Sequence, residues 1–441
     1  MGTARESGLA ARMLAMRALV GALAATGDPM ARVLGRRALA DPYPAYERIR
    51  ARGPVSKHVV GLHIAASHDA AKSILRDPRF QVEPAADHVG VDWNIRPDDE
   101  RTLVHPMEQS ILTMNPPRHT ELRRLVAPWF SPKALRERRS HVERMVDERL
   151  DALPRGGPFD LVEDFAIRVP ISVICALLGL SEAEHRRFVR WGTALTGTLD
   201  GMRTLTERRR VRAVVAEMTH YFGALLAQRA RDPGDDLISA LLQVEVAGRP
   251  LAARDIIGLV GLILVAGFDT TVNLIAGGTY ALLRHPEQRR LFMDEPERAT
   301  DAVNEVLRYE TPVQFTLRVP REPVSLHGVD VPSNAMTVVL LAAANRDPEV
   351  FAQPHRFDIT RPNSHEHLAF SAGIHYCLGA GLARVEAEVA LCRLLQRFPR
   401  LTLAGSVRYR RTRNIRGPLV LPVHPRLAPV TKSGQGIRRE P

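Results

Sequence analysis

Between Ile256 and Leu283 the chain reads IIGLVGLILVAGFDTTVNLIAGGTYALL, a run whose only charged residue is Asp269. A segment this long and apolar suits either a membrane span or a helix buried on every side within a large protein. Asp269 stands near its centre with Thr270, Thr271 and Asn273 beside it, and an acid at that depth is costly in lipid. The run therefore predicts a core helix, and a helix without a polar face needs other helices all around it. The chain offers them. PYPAYERIRARG, PPRHTELRRLVAPWF, SPKALRERRSHVERMVDERLDAL, RRRVRAVVAEMTHYFGALLAQRARD and PEQRRLFMDEPERATDAVNEVLRYE each space apolar residues by three and four.

Strand-like stretches are short and gathered late: VQFTLRVP, VSLHGVDVP, AMTVVLLAAAN and PLVLPVH. The expected fold is mainly α with a small β region. It divides into an N-terminal helical extension over 1–40, one catalytic domain over 41–425 and a polar tail over 426–441. In the extension, Arg12 and Arg17 interrupt the apolar periodicity, so no transmembrane segment is expected there. The three cysteines, Cys175, Cys377 and Cys392, suit neither a disulfide framework nor a four-cysteine zinc site, which places the protein in the cytoplasm. A net charge of +12 admits an acidic partner for one face. With aromatics at 5 %, a stacking platform for nucleic acid is not expected.

Cys377 alone among the cysteines has chemically suggestive surroundings, in HLAFSAGIHYCLGAGLARVE. An amphipathic helix starting at about Leu378 puts the sulfur at its positive end, and Gly373 and Gly379 allow backbone N–H groups close to it. Phe370 could shield it from water. Four readings compete: a core filler, a nucleophile with a distant base, a zinc ligand with His365, His367 and His375, or a thiolate ligand to haem iron.

The pattern F-x-x-G-x-x-x-C-x-G, filled by Phe370, Gly373, Cys377 and Gly379, resembles the haem-binding loop of the cytochrome P450 family. Its bacterial members commonly have a second glycine where this chain has Ser371. AGFDTT is similar to the family's oxygen-binding groove on a long central helix. Ala266 and Thr270 there share a face, Gly267 removes bulk, and the resemblance makes Thr270 and Asp269 the proton relay. EVLR resembles the family's E-x-x-R motif at Glu305 and Arg308, although the same spacing recurs at Glu47/Arg50, Glu121/Arg124 and elsewhere. The later segment AAANRDPEVFAQPHRFDITRP is expected to bring Arg356 to that pair as a buried ion network. His119 and Arg123, Arg318, and His375 match positions that hold the haem propionates. The resemblance covers roughly Asp41 to His424 and suggests the soluble actinobacterial members.

The resemblance implies the cytochrome P450 fold, a triangular helical prism with haem between the central helix and the cysteine loop. It implies a monooxygenase using haem b, with Cys377 as the proximal ligand, and dioxygen. No dinucleotide fingerprint or cysteine cluster is present to bring electrons, so NAD(P)H is expected to act indirectly, through a ferredoxin and a ferredoxin reductase. Arg123, Arg124, Lys133, Arg136, Arg138 and Arg139 offer a basic docking face. By analogy the pocket includes Trp93, the region near Trp191 to Met202, Val260, Ile263, Val313, Phe315 and Ile415, for hydroxylation or epoxidation of a medium-sized, largely apolar metabolite, as in secondary metabolism. Peroxide-driven oxidation, oxidative coupling and a non-catalytic haem sensor are the alternatives.

Overall fold

A computed structural model describes residues 11, 14–15, 18–82, 106–107, 109–200 and 204–425. Trp93 and the tail over 426–441 lie outside the described residues. The helices that position the site are α1 (Tyr43–Arg50), α2 (His68–Arg76), α3 (Arg118–Val126), α4 (Pro132–Asp151), α5 (Arg168–Leu178), α6 (His185–Thr196), α7 (Leu205–Arg231), α8 (Ala253–Arg284), α9 (Ala299–Tyr309) and α10 (Ala380–Arg397). The apolar run lies within α8, whose 32 residues extend about 48 Å. Helices α5, α6, α7, α9 and α10 pack around it, and most of its length is buried. Protein takes the place that lipid would otherwise take.

Local signals set where these helices begin and end. The Ser131 hydroxyl accepts from Ala134 N at the start of α4, with Pro132 in its first turn. Thr204 and Glu207 form a reciprocal capping box at the start of α7. Helix α5 stops at Gly179, which is left-handed with φ 66°.

The largest sheet contains β1 (Val55–Lys57), β2 (His63–Ala65), β3 (Phe80–Gln81), β4 (Thr316–Pro320) and β5 (Thr337–Val339), in the order β1-β2-β5-β4-β3. The β2–β5 pair is parallel and the others are antiparallel. The late strands fall within the stretches the sequence marks as strand-like, whereas the early ones, two or three residues each, do not. The segment AMTVVLLAAAN is only partly extended: Leu341–Ala344 forms a helical turn directly after β5. VSLHGVDVP is a hairpin of Val324–Leu326 with Val329–Val331, turned through His327 and Gly328 at φ 49° and 78°.

Behind the cysteine loop, Glu305 and Arg308 of α9 are both 0 % exposed in their side chains and pair at 2.7 Å. The third member of the network is Arg361, whose Nε lies 3.2 Å from Glu305 Oε2 and whose side chain is 6 % exposed. This corrects the expectation for Arg356, whose side chain is 60 % exposed and only approaches Asp358 at 4.0 Å. Arg356 contributes its carbonyl instead, accepting from both Arg308 Nη2 (3.0 Å) and Arg361 Nη2 (3.1 Å). The backbone between Asn345 and Arg356 turns its carbonyls inward and sends the Arg356 side chain to solvent, and Arg361 then re-enters the core.

Removing one partner of a buried ion network leaves uncompensated charge, at a cost of about 3–5 kcal/mol. Arg361→Ala is expected to lower the unfolding free energy by that order in urea titration. Arg356→Ala should change it by about 0.5 kcal/mol or less, and equal losses in the two variants would contradict the assignment.

Candidate active site

Two residues in the cysteine loop adopt left-handed backbone conformations. Gly373 has φ 69°, and a Cβ there would lie 2.2 Å from the Leu75 carbonyl oxygen of α2, so glycine is required on both counts. Ser371 has φ 62°, which gives a physical reason for glycine in related loops and makes the serine the strained choice. The loop closes when Cys377 N donates to Phe370 O at 2.9 Å and Tyr376 N donates to Gly373 O at 3.0 Å. Helix α10 begins at Ala380, two residues after the expected start.

The open surface of Cys377 faces a cavity that is open to solvent at its mouth. Burial pushes its thiol up, opposed by a hydrogen bond from the Gly379 N–H and by the charges of Arg123 and Arg384. The chain's own groups thus leave a thiol, and a metal ion at the sulfur would deprotonate it. Among the described residues no cluster of His, Cys, Asp or Glu is placed to hold a metal ion, so His365, His367, His375 and Cys377 do not form a zinc site.

The cavity holds about 1480 Å³ of open space, including its solvent mouth. One face of α8, that of Ile263, Ala266, Gly267, Thr270 and Thr271, lines the same cavity. Thr270 Oγ1 donates to Ala266 O at 2.8 Å, which leaves its oxygen lone pairs toward further partners. A Cβ on Gly267 would come within 2.9 Å of Ile174 Cδ1 of α5, so this glycine also lets the two helices close together. Asp269 is absent from the cavity wall. It is 1 % exposed, accepts a hydrogen bond from Thr196 Oγ1 of α6, and pairs through Oδ1 with Arg410 Nη1 at 3.0 Å. The Arg410 contact is coulombic and not an aligned hydrogen bond. Arg410 Nε in turn donates to Asn273 Oδ1 at 3.1 Å.

Cations and imidazoles gather at the cavity without acidic partners. Arg123 Nη2 donates to Tyr376 O at 2.5 Å, and Arg318 Nη1 donates to Thr316 Oγ1 (3.0 Å) and Leu317 O (2.7 Å). Among the described residues no carboxylate faces either guanidinium. Burial lowers Arg318 to about 10. It lowers His375 to about 3, helped by its neighbours Arg318, His119 and Arg123. Burial and then Arg123 lower His119 as well, and the two imidazole rings lie 4.4 Å apart. Both imidazoles are therefore neutral donors near neutral pH, while both arginines remain charged.

A dianionic, flat, apolar group with one soft-ligand metal position meets this donor set. Arg123 and Arg318 match two carboxylates, and Cys377 supplies the sulfur. Gly379 lines the cavity, and a Cβ there would meet no protein atom within 4 Å. The residues thus fit haem. Of the expected pocket residues, Ile263 and Val313 line the cavity, whereas Val260, Phe315 and Ile415 do not. Val260 lies in the core of the helix bundle, Phe315 packs on the opposite side of the sheet from Thr316, and Ile415 pairs backbone to backbone with Val313. Trp191 is fully buried among Phe188, Tyr221 and Phe222.

Glu386 lines the cavity and was missed in the sequence. Its i+4 spacing from Leu382, which also lines the cavity, puts it on the inner face of α10. Arg361 and Arg410 were missed because their partners lie far away along the chain.

Comparisons agree with this geometry. The family described as "Cytochrome P450" matches residues 83–411. The cytochrome P450 monooxygenase PikC of Streptomyces venezuelae is 38 % identical over 401 residues, 88 % of this chain and 92 % of that protein. The 6-deoxyerythronolide B hydroxylase of Saccharopolyspora erythraea is 37 % identical over 396 residues, 87 % of this chain and 96 % of that protein. The crystal structure of the myxobacterial cytochrome P450 CYP267B1 in complex with myristic acid superposes with a TM-score of 0.81 at 36 % identity, covering 90 % of this chain and 99 % of that one.

The two loop glycines should fail differently when changed. Gly373→Ala is expected to destabilise the chain by about 2 kcal/mol or more, from the left-handed φ together with the overlap on Leu75. Gly379→Ala should unfold at nearly the wild-type urea midpoint but bind added haem more weakly, because its methyl meets cavity space. Loss of stability in Gly379→Ala with normal haem uptake would reverse that reading.

Proposed function

Because the chain belongs to the cytochrome P450 family and is a monooxygenase of it, we propose that it inserts one oxygen atom from dioxygen into a neutral, medium-sized, largely apolar metabolite. One observation carries the proposal: Cys377 and Thr270 line one cavity, and its guanidinium groups, Arg123 and Arg318, have no carboxylate partner among the described residues. In this reading Cys377 ligates the iron of haem b, Arg123 and Arg318 hold the propionates, and His119 and His375 donate beside them. When bound, the haem supplies the redox centre at which dioxygen is reduced. The α8 face from Ile263 to Thr270 leaves room for dioxygen, and the Thr270 hydroxyl hands on a proton there. Asp269, held by Arg410 and Thr196, fixes the turn of α8 that carries Thr270.

Substrate choice follows from the remaining wall, where Ile111, Leu112, Ile174, Leu262, Ile263 and Val313 present apolar surface. A relative named for hydroxylating 6-deoxyerythronolide B and a solved relative with myristic acid bound support a polyketide-like or similarly apolar product of secondary metabolism. Electrons from NAD(P)H arrive through a ferredoxin reductase and a ferredoxin. The docking face is formed by exposed Arg124, Lys133 and Arg136, whereas Arg138 packs on Trp129 and Arg139 pairs with Glu143 and Glu388.

The ferrous, carbon monoxide-bound absorption spectrum tests the reading. A thiolate-type spectrum is expected, and it should be lost in Cys377→Ser; a histidine-type spectrum, or no haem uptake at all, would end the proposal. With redox partners and a turned-over substrate, Thr270→Ala should lower product formed per reductant by roughly tenfold or more, with the balance appearing as hydrogen peroxide. Unchanged coupling would remove Thr270 from proton transfer.

A further inference from the structure

Ser371 carries two unfavourable features that a glycine in its place would not. Its backbone is left-handed at φ 62°, where an L side chain is strained. Its Oγ is buried and has no hydrogen-bond partner among the described residues, and an unmet hydroxyl in a protein interior is destabilising. The backbone of the turn is otherwise satisfied, since Ser371 N donates to Leu368 O at 2.8 Å. The residues on either side are closely fitted: Ala372 packs with Leu75 and Leu368 in an apolar cluster, and Gly373 lies against the Leu75 carbonyl. Only the serine hydroxyl is left over, so the polypeptide alone gives it nothing to do.

Ser371 and Cys377 both line the cavity, but the serine oxygen has almost no open surface of its own. It is therefore placed to meet a protein atom and not a guest or a water molecule. Cys377 N donates to Phe370 O at 2.9 Å, which sets the peptide joining Phe370 to Ser371 against the cysteine. The sulfur is also the protein atom here whose accepting power changes when the site fills: a thiol accepts weakly, whereas a metal-bound thiolate accepts strongly. We propose that Ser371 donates its hydroxyl to the Cys377 thiolate in the haem-loaded protein, and that this side-chain donor tunes the electron affinity of the iron. The inference rests on the monooxygenase reading above.

Ser371 acts through its neighbour, as a residue that adjusts the ligand. A hydrogen bond to the sulfur draws charge away from the iron, which favours the ferrous over the ferric state and weakens the iron–sulfur bond. The strain and the unmet hydroxyl of the polypeptide alone are then offset when the site is filled. Glycine at this position has no donor to offer, so this chain is expected to accept its first electron more readily than its own Ser371→Gly variant.

Two variants of the full-length protein test this: Ser371→Ala removes the hydroxyl and keeps the Cβ, and Ser371→Gly removes the strained side chain altogether. Haem-loaded proteins are compared without turnover, by spectroelectrochemical titration of the iron and by resonance Raman of the iron–sulfur stretch. Both variants should lower the equilibrium constant for reduction several-fold and move the stretch to higher frequency, while keeping the thiolate-type carbon monoxide spectrum. A shift in Ser371→Gly alone would assign the effect to the backbone, and no shift in either would separate the hydroxyl from the sulfur; each result overturns the proposal. Urea unfolding before haem is added gives a second readout, which decides if a variant does not load. There Ser371→Ala should unfold at a higher urea concentration than the parent, because the hydroxyl it lacks had no partner. An unchanged or lower midpoint would mean that the hydroxyl is already bonded within the chain, and would also overturn the proposal. A parent protein without a thiolate-type spectrum would sink the monooxygenase reading instead, whereas absent shifts in a thiolate-type protein would sink only the role of Ser371.

Discussion

The Arg308 guanidinium, fully buried, uses every one of its N–H groups, and much of the site depends on that. Nε and Nη2 donate to the two oxygens of Glu305, Nη1 donates to the carbonyls of Asn345 and Pro354, and Nη2 also donates to Arg356 O. One planar cation thereby fixes three carbonyls along a segment with little regular structure of its own. Asn345 extends the attachment: its Oδ1 accepts from Leu368 N at 2.6 Å, and its Nδ2 donates to Thr311 Oγ1 at 2.8 Å. Leu368 begins the approach to the cysteine loop. The sulfur position is thus tied to α9 through a chain of satisfied polar groups, and a partly satisfied version of such a network would be worse than an apolar core.

The cavity divides its polar work between two regions. Near the cysteine loop stand cations and neutral imidazoles that no carboxylate among the described residues pairs with, a field that favours an anionic guest. Between α8 and α10 stand hydroxyls and a neutral acid without cations. The acid of the central helix belongs to neither region, because Arg410 and Thr196 hold it behind the wall. Burial acts oppositely on the two sets, lowering imidazole and guanidinium and raising carboxyl. Both effects follow from one low-dielectric interior.

Much of this was legible in the sequence wherever the signal was local. The α8 run announced its own burial, and the spacing of Phe370, Gly373, Cys377 and Gly379 marked the loop because tight turns impose residue types on neighbours in the chain. What escaped depends on which distant atoms meet. Arg356 and Arg361 lie five residues apart, and nothing in their immediate surroundings says which side chain returns to Glu305. Asp269 looked like a cavity acid from its place beside Thr270, yet its direction is set by Arg410, which lies far along the chain. Glu386 shared its helix with several other charges, and only the packing of α10 on α8 reveals that it alone among them faces inward without a partner. The short early strands were invisible for a related reason: their partners, and not their own residues, make them strands.

The anchoring of the cysteine loop also bears on how a prosthetic group would enter. Gly373 against Leu75, Cys377 N on Phe370 O and the Asn345 clamp all form within the polypeptide alone. The conformational entropy of ordering that loop is therefore lost when the chain folds, and it is not charged again against ligand binding. A receptor assembled in advance can put the free energy of metal–sulfur bonding and carboxylate pairing almost wholly into affinity, so the same contacts hold their guest more tightly than a loop ordered by it would.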